Sequence, residues 1–153
     1  MRFITPAGVS LIKSFESFRS LDYLCPAGIH TIGYGHVIRP GERFDLPLTP
    51  EEAEELLMHD VVAAQRSVLH LISVPLSDAQ YDALVSFAFN LGGGSLQRST
   101  LRQKVNRQED DEVPDEFMKW VRCKGRILPG LVRRRRAEAA FYAAQGVVLR
   151  RAA

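Results

Sequence analysis

The 153 residues hold only two cysteines, Cys25 and Cys123, along with one tryptophan, four histidines and no long run of apolar side chains. Two cysteines are too few for a disulfide scaffold and fit a reducing compartment, so both are read as free thiols. His30, His36, His59 and His70 are scattered, with no second ligand at metal-binding spacing, so no metal and no cofactor is expected. The pair Gly33 and Gly35 lacks the third glycine and the strand and helix context of a phosphate loop, which sets nucleotide binding aside. The opening segment MRFITPAGVSLIKSFESF interrupts Val9, Ile12 and Phe15 with Lys13, Ser14 and Glu16. It offers neither a signal-peptide core nor a membrane span. Synthesis in the cytosol, with no stable membrane insertion, is the expectation.

What is present suits one compact, monomeric unit. Hydrophobic side chains make up 46% of the chain, and a chain of this length buries about two-thirds of its unfolded surface. The net charge of +2 hides an asymmetry. Residues 1–97 carry 6 Lys/Arg against 11 Asp/Glu, a balance of −5, and residues 98–153 carry 14 against 7, a balance of +7. A basic half attracts anionic polymers, and nucleic acid, acidic membrane and bacterial wall material all qualify.

Thr5-Pro6 has the form of a helix N-cap followed by proline at the first helical position, and Val9, Leu11, Ile12, Phe15 and Phe18 recur on one face. This predicts a helix from about Pro6 to Phe18. Between Leu24 and Val37, the turn signal Pro26-Ala27-Gly28 and the β-formers Ile29, Ile32, Tyr34 and Val37 predict a short antiparallel hairpin or meander. Thr49 and Glu52 form a capping box for a long helix that must stop before Pro75. At about 1.5 Å per residue such a helix is long enough to join two lobes. Ser77 and Gln80 open the next helix, with Tyr81, Leu84, Val85 and Ala88 facing the core and Gly92-Gly93-Gly94 ending it. Further helices are predicted at about Ser99–Asn106, Pro114–Val121 and Leu131–Ala144, the last capped by Gly146, with a loop at the acidic run 109–112. Phe117 and Trp120 are assigned to the C-terminal core. The fold class is α+β, mostly helical, in two lobes: an N-terminal hairpin or meander lobe of about 1–60, a connecting helix of about 50–74 and a helical lobe of about 75–153, on which helix 1 is an alternative packing partner.

Glu16 closes the first helix between Phe15 and Phe18, an apolar setting that suits a proton donor. Taken alone, a glutamate near a helix end is more often a solvated charge. The surrounding text changes the weighting. ESFRSLDYLCPAGIHTIGYGH, with its helix-terminal Glu, following Arg and Tyr, turn, and T-I-G-Y-G-H, resembles the catalytic segment of the phage-type lysozymes, or endolysins, of glycoside hydrolase family 24. The resemblance runs on in order through LTPEEAEELLMHD, QYDALVSFAFNLGGGSLQRSTL, EFMKW and GLVRRRRAEAAF, nearly the whole chain.

The family pattern is Glu, eight residues, Asp, five residues, Thr, and Glu16 and Thr31 keep both types and spacing while Cys25 stands at the aspartate position. The resemblance implies a muramidase that hydrolyses the β-1,4 bond between N-acetylmuramic acid and N-acetylglucosamine in bacterial peptidoglycan. Glu16 would be the general acid and Thr31 the holder of the attacking water, with inversion at the sugar. Three readings of Cys25 stay open: a thiolate made more acidic by its surroundings, a weak polar substitute, or the mark of lost activity. Asp22 is a poor replacement, because side-chain direction alternates along that segment. Arg133, the first of four consecutive arginines, is similar to the family's ion-pair partner of the catalytic Glu. Outside the resemblance the Arg run reads as a solvated helix start.

Tyr34 and His36 are placed beside the site, in substrate binding or support, and on the residues alone His36 reads as a structural hydrogen-bonded ring. The resemblance further implies accumulation in the host bacterial cytoplasm and action on the wall after a holin-like lesion, with no nucleic-acid partner. Two other classes remain open: a lytic transglycosylase, which needs no water-holding Thr31, and a basic wall-binding or envelope-disrupting protein without chemistry. A nucleic-acid binder, motivated only by the basic half, is a third.

Overall fold

The computed structural model describes residues 1–25 and 27–144 and carries the last helix on to Ala152. The elements in chain order are α1 (Pro6–Phe15), β1 (Arg19–Leu24), β2 (His30–Gly33), β3 (His36–Val37), α2 (Pro50–Leu71), α3 (Asp78–Leu91), α4 (Gly93–Arg98), α5 (Thr100–Asn106), α6 (Val113–Phe117), β4 (Arg122–Cys123), β5 (Arg126–Ile127) and α7 (Pro129–Ala152). They fall into two compact units, one of Met1–Leu11 with Ala63–Ala153 and the other of Ile12–Val62. The architecture is the mostly helical α+β arrangement expected.

The smaller unit is built on a three-stranded antiparallel sheet in the order β1-β2-β3. Tyr23 pairs with Thr31 and Leu24 with His30 on one side of β2, and Thr31 pairs with Val37 and Ile32 with His36 on the other. Ile32, Leu48 and Ala53 form its buried centre, ringed by Tyr34, Ile38, Phe44 and Leu56. The start of α2 is fixed by the capping box read from the sequence: Glu52 N donates to Thr49 Oγ1 at 3.2 Å, and Thr49 N donates to Glu52 Oε2 at 3.0 Å.

In the larger unit α3 is buried on nearly every side from Gln80 to Ala88. Its capping box is complete, with Gln80 N donating to Ser77 Oγ and Ser77 N to Gln80 Oε1. Phe87 is the aromatic centre, meeting Phe117 edge-on at 5.8 Å and Trp120 edge-on at 5.6 Å between ring centroids. Asp82 extends the cap at Thr5. It accepts from Thr5 N at 3.0 Å and from the Thr5 hydroxyl, while Gly8 N donates to that hydroxyl oxygen at 3.3 Å.

Several boundaries differ from expectation. The first helix stops at Phe15, three residues before Phe18, and the chain enters β1 at Arg19. Gly92 caps α3 as a C-terminal glycine should, but Gly93 and Gly94 begin α4 rather than a loop, its buried Ser95 and Leu96 outweighing their low helix propensity. The helix expected over Pro114–Val121 is only Val113–Phe117. Trp120 lies beyond it, half-buried, and the chain then forms the exposed β4–β5 hairpin, which the sequence reading missed. The last helix runs from Pro129 to Ala152 rather than from Leu131 to Ala144, so it does not end at Gly146. The acidic run 109–112 is a loop as expected.

The largest correction concerns Arg133 to Arg136. Arg134 is 3% exposed and Arg135 not at all, so half of the supposed solvated run is core. Arg135 Nη2 donates to Asn90 Oδ1 at 2.6 Å and pairs with Glu138 Oε1 at 2.8 Å, and its guanidinium lies 5.2 Å from the centre of the Phe87 ring. Burial drives the Glu138 carboxyl up to about 7, against the pull of Arg135 and Arg134, and burial brings Arg135 down to about 10.

A carboxyl whose folded-state pKa lies above its unfolded value contributes most stability below the unfolded value, and that contribution is lost as pH rises through the folded one. Wild type is therefore expected to lose up to roughly 3 kcal/mol between pH 5 and 8 from this group. Glu138→Gln removes that slope, and thermal melts of both proteins across the range check it.

Candidate active site

Glu16 is the first residue past α1, held by the helix's last backbone bond, Glu16 N to Ile12 O at 3.1 Å. Its half-buried carboxyl lies over the β2–β3 turn. A Cβ built on Gly35 would stand 3.0 Å from Glu16 Oε2. The last turn of α1 is tied down on its other side. Lys13 Nζ bonds to Glu54 Oε2 at 2.8 Å and sits 5.1 Å over the Tyr34 ring, which packs against Phe18 at 5.5 Å. The Glu54 carboxylate holds the Lys13 ammonium above the usual lysine range. Tyr34 thus supports the helix exit that carries Glu16.

Thr31 is 4% exposed on β2, and its hydroxyl donates to Ile29 O at 3.0 Å. The same carbonyl accepts Cys25 N at 3.0 Å, while Gly28 N donates to Cys25 O at 2.8 Å, so a tight turn returns the chain toward Thr31. Pro26, the first residue of the expected turn, lies outside the described residues. Cys25 and Thr31 are brought together: the thiol is drawn below the ordinary cysteine range first by the Ile29 amide, then by the Ala27 amide, with a smaller contribution from the Thr31 side chain. Backbone donors aimed at sulfur favour the thiolate. Cys25 and Cys123 are both free thiols.

Asp22 is on β1 beside Tyr23, the partner of Thr31, so it points to the other face, where it meets His30 Nδ1 at 3.6 Å. Arg133 is exposed at the start of α7, its guanidinium curled back toward Gly130, and it belongs to the larger unit.

His36 is only 6% exposed and clasped on both nitrogens. Nδ1 faces Asp60 Oδ2 at 2.8 Å, and Nε2 faces Glu42 Oε2 at 3.1 Å. The sequence reading saw no carboxylate near it, whereas the fold delivers two, from six and twenty-four positions away. They bind opposite edges of the ring, which makes a clamp and not a ligand cage, and no metal-binding group of His, Cys, Asp and Glu forms among the described residues. The structural reading of the ring fits this geometry. Glu42 is held below the usual carboxylate range, chiefly by the Arg39 amide that it accepts at 2.7 Å and further by His36. Sequence reasoning also missed Lys13, Glu54 and Gly35, the residues that surround the Glu16 helix exit.

Comparison with known proteins agrees with the fold. The family model for phage lysozymes matches residues 13–138, and the chain belongs to that family, which makes it a glycoside hydrolase of the lysozyme type. It is 39% identical to an endolysin of the Acyrthosiphon pisum secondary endosymbiont phage 1 over 91% of this chain and 97% of that one. It is equally identical to an endolysin of Bacillus phage B103 over 91% of this chain and 53% of that one, so the chain spans about half the length of that relative. Among solved structures, an endolysin from the Escherichia coli O157:H7 phage FAHEc1 superposes with a TM-score of 0.86 at 32% identity, covering 94% of this chain and 95% of that one.

The His36 clamp predicts two results. Asp60→Asn is expected to cost about 2 kcal/mol, the scale for losing a charge-assisted hydrogen bond to a buried group, which urea melts at neutral pH measure. Glu42, with its depressed folded-state pKa, contributes stability above its unfolded value of about 4.5, and that contribution is lost as pH falls through the folded value. Glu42→Gln should flatten the acid side of the stability profile, and its melting temperature should converge on wild type as the pH falls through the folded-state value, below 4.5.

Proposed function

We propose that this chain is an endolysin that hydrolyses the β-1,4 bond between N-acetylmuramic acid and N-acetylglucosamine, with Glu16 as general acid, Thr31 as holder of the nucleophilic water and Cys25 in support of it. The observation that carries the reading is local. One small sheet holds a buried threonine hydroxyl beside a thiol bathed in backbone donors, and the helix-exit carboxyl of Glu16 rests on the turn of that same sheet.

The chemistry follows from what each group offers. Glu16 gives its proton to the glycosidic oxygen as the bond to the anomeric carbon lengthens, and charge builds on the ring in an oxocarbenium-like transition state. Water held by the Thr31 hydroxyl adds from the opposite face, giving inversion. The proton it sheds needs an acceptor, and the charge on the ring needs an anion. A thiolate at position 25, sustained by the Ile29 and Ala27 amides, takes that proton and supplies negative charge where the family pattern has a carboxylate, and the proton passes through solvent to restore Glu16 for the next turnover. The substrate is peptidoglycan. Passage to the wall is through a holin-like lesion. No helix among the described residues is long and apolar enough to cross a membrane.

Clearing of permeabilised Gram-negative cells, with mass spectrometry of the released fragments, tests the reading. Glu16→Gln should slow clearing by about 10²-fold or more, the usual scale for loss of a general acid, and wild-type speed in that variant would end the muramidase assignment. Cys25→Asp should hold or raise the rate and Cys25→Ser should lower it. Wild-type activity should fall as the pH drops through the thiol's titration, and this decline should move to lower pH in Cys25→Asp. Reducing-end muropeptides are expected, whereas anhydro products would identify a transglycosylase.

A further inference from the structure

The β4–β5 hairpin is a part of the larger unit for which the proposed chemistry has no use. Arg122 pairs with Ile127 and Cys123 with Arg126, and residues directly opposite on a ladder share a face. One face therefore carries Arg122 and Ile127, and the other Cys123 and Arg126. All four are exposed, so neither face is packed into the core of its unit. Leu128 extends the ladder, its N–H donating to Val121 O at 3.0 Å. Ile127 is 54% exposed and Leu128 40%. A two-stranded hairpin is marginal in water by itself, and this one leaves two large aliphatic side chains in solvent.

Its charge is of one sign. No Asp or Glu stands between Glu116 and Glu138, a stretch with eight Lys and Arg. Arg134 and Arg135 are buried, and Lys119 bonds to Glu116 at 2.8 Å. That leaves Arg122, Lys124, Arg126, Arg133 and Arg136 exposed, and among the described residues none of these five forms an ion pair. The Arg133 guanidinium curls toward Gly130, just past the end of the hairpin, and Arg136 is its neighbour on the surface of α7. The basic surface thus continues from the hairpin on to the helix that follows it.

We propose that the β4–β5 hairpin is a docking surface for an anionic phospholipid bilayer, with Arg122, Lys124 and Arg126 at the headgroup phosphates and Ile127 and Leu128 at the acyl boundary. Cations and aliphatic groups are neighbours on the hairpin, and a lipid interface sets phosphate beside hydrocarbon in the same way. Other anionic polymers answer only half of this surface. Single-stranded nucleic acid binds on aromatic platforms, and residues 121–132 include no aromatic side chain. Duplex phosphates and the carboxylates of a bacterial wall match the cations but leave the aliphatic groups in water. Docked in this way, the protein lies on the inner leaflet, whose anionic lipids attract basic segments. The inference does not depend on the roles given to Glu16, Cys25 and Thr31.

Co-sedimentation of the full chain with vesicles tests it, using phosphatidylcholine alone and phosphatidylcholine mixed in equal parts with phosphatidylglycerol. Wild type is expected to bind the mixed vesicles, less so as salt rises, and to stay in solution with the neutral ones. Each cation at an anionic surface strengthens binding about five-fold, so Arg122→Gln/Lys124→Gln/Arg126→Gln should weaken it about 100-fold. The control Arg43→Gln/Arg66→Gln/Arg107→Gln removes the same charge from exposed positions outside the hairpin and should stay within about three-fold of wild type. Ile127→Ser/Leu128→Ser should lose about ten-fold with its charge unchanged. Arg122 also donates to Gly125 O at 3.3 Å, so thermal melts accompany the binding curves. Lys124→Gln/Arg126→Gln keeps that bond and should still lose about 25-fold.

Equal binding by the hairpin and control triple variants overturns the proposal, as does equal binding of wild type to the two kinds of vesicle. Retention on wall sacculi or duplex DNA that depends on the hairpin, with no binding to vesicles, overturns it as well and identifies the other partner. Glu16→Gln should bind vesicles as wild type does. Its clearing rate tests the muramidase reading, so failure of that reading and failure of this inference appear in different assays.

Discussion

The alternation of side chains along β2 is the constraint from which the candidate site follows. Ile32 must face Leu48 and Ala53, because with them it forms the buried apolar centre of the small unit's sheet. Successive residues of a strand point to opposite faces. Thr31 is thereby turned to the face it shares with its pair partner Tyr23 and, two residues on, with Cys25. A one-residue slip would put the hydroxyl in the core and the isoleucine in its place, so the packing that stabilises the small unit also aims its chemistry. The Ile29 carbonyl completes the arrangement by taking both the Cys25 amide proton and the Thr31 hydroxyl proton.

The fold was most legible where local rules and burial agreed. Both capping boxes, at Thr49–Glu52 and Ser77–Gln80, are present as the spacing indicates, because a cap is settled within four residues and does not depend on distant packing. The elements that were missed are short and decided elsewhere. Helix α4 begins on two glycines because Leu96 needs burial, and the β4–β5 hairpin has two residues per strand, too few for a period-2 signal. Its turn, with Lys124 and Gly125 both at positive φ, is the one local cue that was there to be read.

The proposed catalytic residues were legible in a different way. Glu16, Cys25 and Thr31 stand out through a motif, a record of spacing, whereas the groups that hold them in place lie outside any motif. His36 meets Asp60 from a helix that starts thirteen residues beyond Val37, and Lys13 meets Glu54 on the same helix. Such contacts carry no signature in a single sequence. The arginine run misled for the same reason: its charge argues for solvent, and only Asn90, Phe87 and Glu138 explain why Arg135 is buried instead.

That buried pair has a further consequence for how the larger unit assembles. Arg135 and Glu138 are three residues apart on one helix, so each finds its counterion as soon as a turn of helix forms, before any tertiary contact exists. Helix α7 can therefore bring this pair against α3 together, which avoids the separate desolvation of two isolated ions.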